Sequence, residues 1–177
     1  VIGNKVKADI GGDLNIASLQ ETNRYQSDSV NGGFGINTAL GKNTGSTLSV
    51  SANIGKTSSD YRSVTEQAGI YAGKEGFDLT VGNNTDLKGA VIASEAEKEK
   101  NRLTTGTLSF SDLNNKAEYE SKGIGIGVGI GSANGKTTVG GGVAVSSPAH
   151  DKAASTTKSA VAEGKITITN PDQQKQN

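Results

Sequence analysis

The stretch "GSANGKT" (Gly131–Thr137) is the part of the sequence whose residue types come nearest to a phosphate-binding loop. A Walker motif requires Gly five positions before its Gly-Lys pair, and here that position is Ile130. The motif also needs a helix after the Lys, whereas the following "TTVGGGVAVS" alternates apolar and small residues as a strand does. We therefore interpret Asn134-Gly135 as a hairpin turn and expect no nucleotide site.

The remaining groups with chemical potential are isolated. His150 is the only histidine and lies in the polar stretch "SSPAHDKAAS", which we expect to be a loop, so no second imidazole exists for a metal site or a catalytic triad. Glu97 and Glu99 alternate with lysines in "ASEAEKEKNR", a stretch without an apolar stripe that indicates a solvated excursion. We expect no catalytic residue, no cofactor, no metal site and no small-molecule substrate.

Composition limits the function classes further. The 177 residues carry 18 basic and 18 acidic side chains, so the balance gives no electrostatic reason to expect nucleic acid as a partner. Cysteine is absent, and no apolar run approaches the roughly 20 residues of a membrane-spanning helix. Only 32% of the residues are apolar and 25 are glycine, which predicts a thin core. The opening "VIGNKVKADI" lacks the organisation of a signal peptide, and we expect a segment of a longer protein.

Apolar residues recur with a period of two nearly everywhere, as in "FDLTV" (Phe77–Val81) and "KITITN". Many short strands without intervening helices predict an all-β fold, either a sandwich or a solenoid. The positions of Leu79, Leu87 and Leu108 match two sides of one coil and a return to the same side one coil later. We favour a parallel, right-handed β-helix with coils of roughly 20 to 25 residues. A sandwich is the alternative.

The chain contains one module twice. After Tyr25 come "GFGINTAL", a turn and "STLSVSANIG", and after Tyr119 come "GIGIGVGIG", a turn and "TVGGGVAVSS". Both copies then run through a polar stretch to related ends, so the copies cover about 25–83 and 119–170. We expect residues 1–170 to form a single β-helical repeat segment. The remaining residues, 171–177, are a polar, Pro-containing tail typical of a linker.

Each copy contains a glycine-rich β-hairpin excursion with one apolar face, closed near Asn43–Gly45 or at Asn134-Gly135. Glycine on the opposite face allows close approach to the backbone. The candidate membrane- or partner-facing residues of the first hairpin are Phe34, Ile36, Leu40, Leu48, Val50 and Ile54. Those of the second hairpin are Ile124, Ile126, Val128, Ile130, Val139, Val143 and Val145.

Two interpretations of these hairpin faces are open. Their strands of about nine residues are close to the roughly 9–11 that a tilted strand needs to cross a bilayer, and the alternation matches strands with one lipid face and one wet face. A single hairpin has unpaired edges that hydrocarbon does not tolerate, so insertion would require several copies. Alternatively, the apolar faces are permanently buried as core.

The blocks "DLNIASLQETNRYQS", "EQAGIYAGKEGFDLTVGNNTDLKGAVIAS" and "NRLTTGTLSFSDLNNKAEYES" resemble the haemagglutinin-type repeat region of two-partner-secreted exoproteins. These include filamentous haemagglutinins and the effectors of contact-dependent growth inhibition. The resemblance spans nearly the whole chain, and Asn84–Leu113 is its most specific part.

The resemblance implies a non-enzymatic segment of a large filament on the surface of a Gram-negative bacterium. Such a segment would act in cell contact and in delivery of a C-terminal toxin. Its implied partners are the outer-membrane transporter during export and the surface or outer membrane of a target cell. A purely adhesive or structural filament segment is the alternative function.

Overall fold

The structure is a computed structural model, and it describes residues 1–39 and 45–176. These residues form an all-β fold without an α-helix, as the sequence predicts, with two single-turn 3-10 helices at Lys98–Lys100 and Pro171–Gln173. No helix among the described residues is long and apolar enough to cross a membrane. The strands are β1 (Ile2–Gly3), β2 (Val6–Ile10), β3 (Leu14–Ala17), β4 (Gln20–Ala39), β5 (Gly45–Val64), β6 (Gly69–Ala72), β7 (Phe77–Lys88), β8 (Val91–Ser94), β9 (Arg102–Ser111), β10 (Leu113–Ala133), β11 (Lys136–Thr157), β12 (Ala160–Val161) and β13 (Lys165–Ile168).

The chain divides into two compact units. The first, which we call the stack unit, comprises residues 1–22, 62–116 and the chain from 154 onward. The second, the sheet unit, comprises residues 23–61 and 117–153. Each unit is therefore assembled from separate stretches of sequence, and the described ends of β4, β5, β10 and β11 contribute to both.

The stack unit contains two sheets of parallel strands. One sheet has the order β1-β6-β8-β12, and the other has the order β13-β9-β7-β2, with β3 also paired to β7. Ile70 faces Ile92, and Leu79 faces Leu103. The paired residues lie 22 and 24 positions apart in these two examples, whereas Ile2 pairs with Tyr71 and Val6 with Phe77 across much longer stretches of sequence.

The long strand β7 has a register shift between Val81 and Asn84, so Leu79 and Leu87 lie on either side of this irregularity. Leu87 faces Phe110 across β9, and Leu108 faces Thr85. The sequence spacing between Leu87 and Leu108 thus identifies the correct neighbouring strand, although the two residues are not direct partners.

Apolar side chains from both parallel sheets form one cluster. Phe77, Leu79, Leu87, Ile92 and Leu103 are all at most 1% exposed. They come from strands β7, β8 and β9, in the middle of the two strand orders. Burying each such side chain contributes about 1.5–3 kcal/mol to stability.

The sheet unit is antiparallel. Its strand order is β11-β10-β5-β4. The Ser29 hydroxyl bonds the Gly55 carbonyl, whereas the Ser49 hydroxyl bonds the Gly35 carbonyl, so positions rise along β4 as they fall along β5. Strands β10 and β11 are joined by Asn134 and Gly135, whose φ angles of 53° and 72° suit a two-residue type I′ turn. The expected first turn at Asn43–Gly45 lies outside the described residues except for Gly45, which begins β5.

The four strands of the sheet unit are longer than the sequence predicts. They contain 20 to 22 residues rather than about nine. The polar stretches beside the glycine-rich segments are also strands, because they pair with neighbouring strands. The sequence does not predict this, since a stretch that is polar at every position has no alternation of apolar and polar residues.

The expectation that His150 lies in a loop is wrong. His150 and Pro148 are within β11, and both are exposed. Because β11 is at the end of the strand order, the missing N–H of Pro148 need not break a central ladder. An edge strand can therefore pass through a sequence that looks like a turn.

Candidate functional site

The candidate site is one face of the antiparallel sheet, and the glycine contacts establish which residues share that face. A Cβ added to Gly125 would lie 2.6 Å from the Asn53 side-chain oxygen, and one added to Gly131 would lie 3.3 Å from the Thr138 hydroxyl. The odd-numbered residues of β4, β5 and β10 thus share a face with the even-numbered residues of β11. Successive side chains alternate between faces, so the remaining residues form the opposite face.

The opposite face, which we call the apolar face, extends over all four strands. Strands β5 and β10 are neighbours in the centre of the sheet. Every described candidate residue lies on this one face, arranged in rows across the four strands. The side chains on the apolar face are Val30, Phe34, Ile36, Leu48, Val50, Ala52, Ile54, Ile124, Ile126, Val128, Ile130, Val139, Val143 and Val145.

The candidate residues that the structure describes are exposed. Their exposed fractions range from 38% for Leu48 to 70% for Val139, and Ile126 on the central strand β10 is 52% exposed. A chain that used this face as its core would bury these side chains. Among the described residues, the candidate side chains therefore lie on an open face.

Among the large side chains of the apolar face, sequence reasoning missed Val30, and it proposed one residue that cannot be placed. Val30 is 76% exposed and belongs to the face, and continuing the alternation of β4 back from Phe34 would have found it. Leu40 lies outside the described residues.

Polar residues bound the apolar face along the strands. At one end, Asp28 and Lys56 occupy the same face and form an ion pair at 3.6 Å, and Lys122 pairs with Glu120 at 3.3 Å. At the other end the face continues to Ser132 on β10. Rows of side chains are about 7 Å apart along the strands, so four apolar rows cover roughly 20–27 Å.

The opposite side of this sheet, the glycine face, is covered by small polar groups. Cβ atoms added to Gly33 and Gly35 would each lie 2.7 Å from a serine hydroxyl on β5, and the Ser146 hydroxyl bonds the Gly123 carbonyl at 3.0 Å. Alternating glycines thus leave room for hydroxyl and amide groups of neighbouring strands to lie over the backbone. This is the physical role of "GIGIGVGIG".

No described group of three or more His, Asp or Glu side chains could hold a metal ion. Glu97, Glu99 and His150 are exposed, in the charged excursion and in the edge strand respectively. The structure brings none of these three together with the apolar face.

Sheets of parallel strands, combined with an antiparallel sheet of four long strands, define an all-β protein. The chain belongs to the hemagglutinin repeat family, whose pattern matches residues 1–32 and 27–123.

The relatives include proteins with different named activities. The chain is 46% identical over 180 residues to the tRNA nuclease CdiA of Escherichia coli O6:K15:H31 (strain 536 / UPEC), covering all of this chain and 6% of that protein. It is 46% identical over 119 residues to the deoxyribonuclease CdiA of Dickeya dadantii (strain 3937), covering 67% of this chain and 4% of that protein. It is 38% identical over 182 residues to the deoxyribonuclease CdiA of Yersinia pseudotuberculosis serotype O:3 (strain YPIII), covering all of this chain and 17% of that protein. The chain therefore spans a small part of the relatives it matches.

Proposed function

We propose that this chain is a non-enzymatic segment of a large secreted filament on the surface of a Gram-negative bacterium, and that it acts in contact-dependent growth inhibition. Its role is to contact a target cell and to assist delivery of a toxin located elsewhere in the same protein. The partners we propose are the outer-membrane transporter during export and the outer membrane of the target cell.

Two features of the relatives support a role other than catalysis. Proteins named for cleavage of tRNA and of DNA both contain a segment similar to this chain, although their named substrates differ. A segment shared across different nuclease activities is suited to a step that those proteins have in common. Delivery is such a step, and the chain accounts for only 4–6% of these two proteins.

The architecture that we propose is a parallel, right-handed β-helix spanning residues 1–170, from which two antiparallel hairpins project. Parallel registers with offsets of 22 and 24 residues support the β-helix. In this proposal the two modules, about 25–83 and 119–170, each contribute one hairpin, and residues 171–177 form a tail.

The exposed apolar face is the observation that carries the membrane part of the proposal. Its height of roughly 20–27 Å is close to the apolar band of about 25 Å on strands that reside in an outer membrane. Charged pairs such as Asp28–Lys56 at its boundary suit the polar headgroup region. A contiguous apolar surface of this kind is unusual on a protein that meets only water.

The test compares two single substitutions to aspartate on the edge strand β11, one on each face of the sheet. Val143 is on the apolar face and its neighbour Ala144 is on the glycine face, and both side chains are exposed. We expect Val143→Asp and Ile126→Asp to abolish liposome permeabilisation by the chain and toxin delivery by the full-length protein, whereas Ala144→Asp retains both. Thermal unfolding of each variant establishes that it is folded.

The competing function is an adhesive or structural filament segment whose apolar face packs against another protein surface. Under that function, the unmodified chain and the folded Val143→Asp and Ala144→Asp variants would all fail to permeabilise liposomes. That result would contradict the membrane proposal.

A further inference from the structure

The residues that follow β13 form hydrogen bonds with one edge of strand β9. After β13, backbone pairing to β9 continues only briefly, with the amides of Thr169 and Asn170 donating to the carbonyls of Thr105 and Gly106. Pro171 then begins a 3-10 turn and brings no N–H for a ladder. Beyond Gly106, the edge of β9 that faces away from β7 is therefore not covered by a backbone strand of the tail.

Two glutamine side chains cover that edge instead. The Leu108 amide donates to Gln174 Oε1 at 2.8 Å, and Gln174 Nε2 donates to the Leu108 carbonyl at 2.7 Å. The Phe110 amide donates to Gln176 Oε1 at 2.6 Å, and Gln176 Nε2 donates to the Phe110 carbonyl at 3.0 Å. Gln174 Nε2 also donates to the backbone carbonyl of Gln176 at 2.5 Å, which ties the first carboxamide to the backbone of the second glutamine.

The chemistry and the spacing both match those of a missing strand. A carboxamide offers a donor and an acceptor, as a peptide group does. In an extended strand, the N–H and C=O of alternate residues point to the same edge, and Leu108 and Phe110 are alternate residues. Gln174 and Gln176 are also two apart, so each amide satisfies one residue of β9.

We propose that Gln174 and Gln176 are an edge cap that closes β9 to strand addition by a second copy of the chain. An uncovered strand edge is a template for pairing with another chain. Two β9 edges can pair antiparallel, with Leu108 of one copy opposite Phe110 of the other, so that both exchange N–H···O bonds. The cap occupies the groups that this pairing needs.

Hydrogen–deuterium exchange of the 177-residue chain tests the cap directly. In the Gln174→Ala/Gln176→Ala variant at low protein concentration, we expect the Leu108 and Phe110 amides to exchange roughly threefold to tenfold faster, because each loses its acceptor. The matched control is Gln173→Ala, since the Gln173 side chain accepts from Asn170 Nδ2 within the turn. The control leaves exchange at Leu108 and Phe110 unchanged.

Raising the protein concentration tests the partner. In the double variant the same two amides regain protection as copies pair through β9, whereas they are protected at every concentration in the unmodified chain. Association through the apolar face leaves these two amides unprotected, so the readout separates the two surfaces. Unchanged exchange in the double variant at low concentration would overturn the cap, and fast exchange at all concentrations would overturn pairing through β9.

Discussion

Thr85 and Thr105 form a hydroxyl pair inside the stack unit, where the Thr85 Oγ1 donates to the Thr105 Oγ1 at 2.9 Å and both residues are fully buried. The Thr105 hydroxyl lies within hydrogen-bond distance of the carbonyls of Asn83 and Thr107 as a donor. The two threonines are therefore not equivalent, because Thr105 both accepts and donates.

This arrangement predicts an order of stability for two valine substitutions of nearly the same shape. Thr85→Val removes one donor and leaves Thr105 its own acceptors, at a cost of about 1 kcal/mol. Thr105→Val leaves the buried Thr85 hydroxyl without its acceptor. We expect it to lower the free energy of unfolding by about 1–3 kcal/mol, which is more than Thr85→Val does. Urea unfolding measures both, and equal costs would contradict the assigned directions.

Gly106 and Gly142 predict opposite outcomes for the same substitution. A Cβ added to Gly106 would lie 2.4 Å from the Asn83 carbonyl oxygen, a backbone atom that cannot turn away, whereas one added to Gly142 meets nothing within 4 Å. We expect Gly106→Ala to cost about 1–3 kcal/mol through overpacking. Gly142→Ala should be neutral or stabilising by up to about 1 kcal/mol. Differential scanning calorimetry compares the two, and a tolerated Gly106→Ala would rule out the close backbone approach at β7 and β9.

Leu79 lies in the core of the stack unit and Ile126 lies on the apolar face, so truncation to alanine should have different costs at the two positions. Leu79 is 0% exposed and Ile126 is 52% exposed. Leu79→Ala should cost about 2–5 kcal/mol, whereas Ile126→Ala should cost no more than about 1 kcal/mol, the worth of a cross-strand pair. Chemical denaturation followed by circular dichroism gives both values. A large loss for Ile126→Ala would mean that its face is buried in the free chain.

The turn at Asn134-Gly135 depends on the second residue tolerating a left-handed backbone. Gly135 has φ of 72°, and its added Cβ would meet nothing within 4 Å, so the cost of Gly135→Ala is conformational and not steric contact. We expect a loss of about 1–2 kcal/mol. Faster amide exchange confined to the ends of β10 and β11 would accompany it, and exchange unchanged at those ends would argue against the type I′ turn.

Much of the apolar face can be predicted from the sequence alone. Alternation alone assigns Ile124, Ile126, Val128 and Ile130 to one side of a strand, because side chains in a strand alternate with a period of two. The same rule applied farther along β4 would have added Val30. The extended polar part of β11 could not be found in this way, since "SSPAHDKAAS" has turn-like composition and is strand because it pairs with β10.

The sequence by itself determined the all-β class and which side chains of each hairpin share a face, because these follow from residue types and from a local period. It did not determine that β5 and β10 pair, which joins two small apolar strips into one face. Strand pairing is made by backbone N–H and C=O groups that every residue but proline carries, so the choice of neighbour depends on where the rest of the chain places each edge. The same reason applies to Gln174 and Gln176. Nothing in their polar sequence indicates that they bond strand β9, and only the tertiary structure places them beside Leu108 and Phe110.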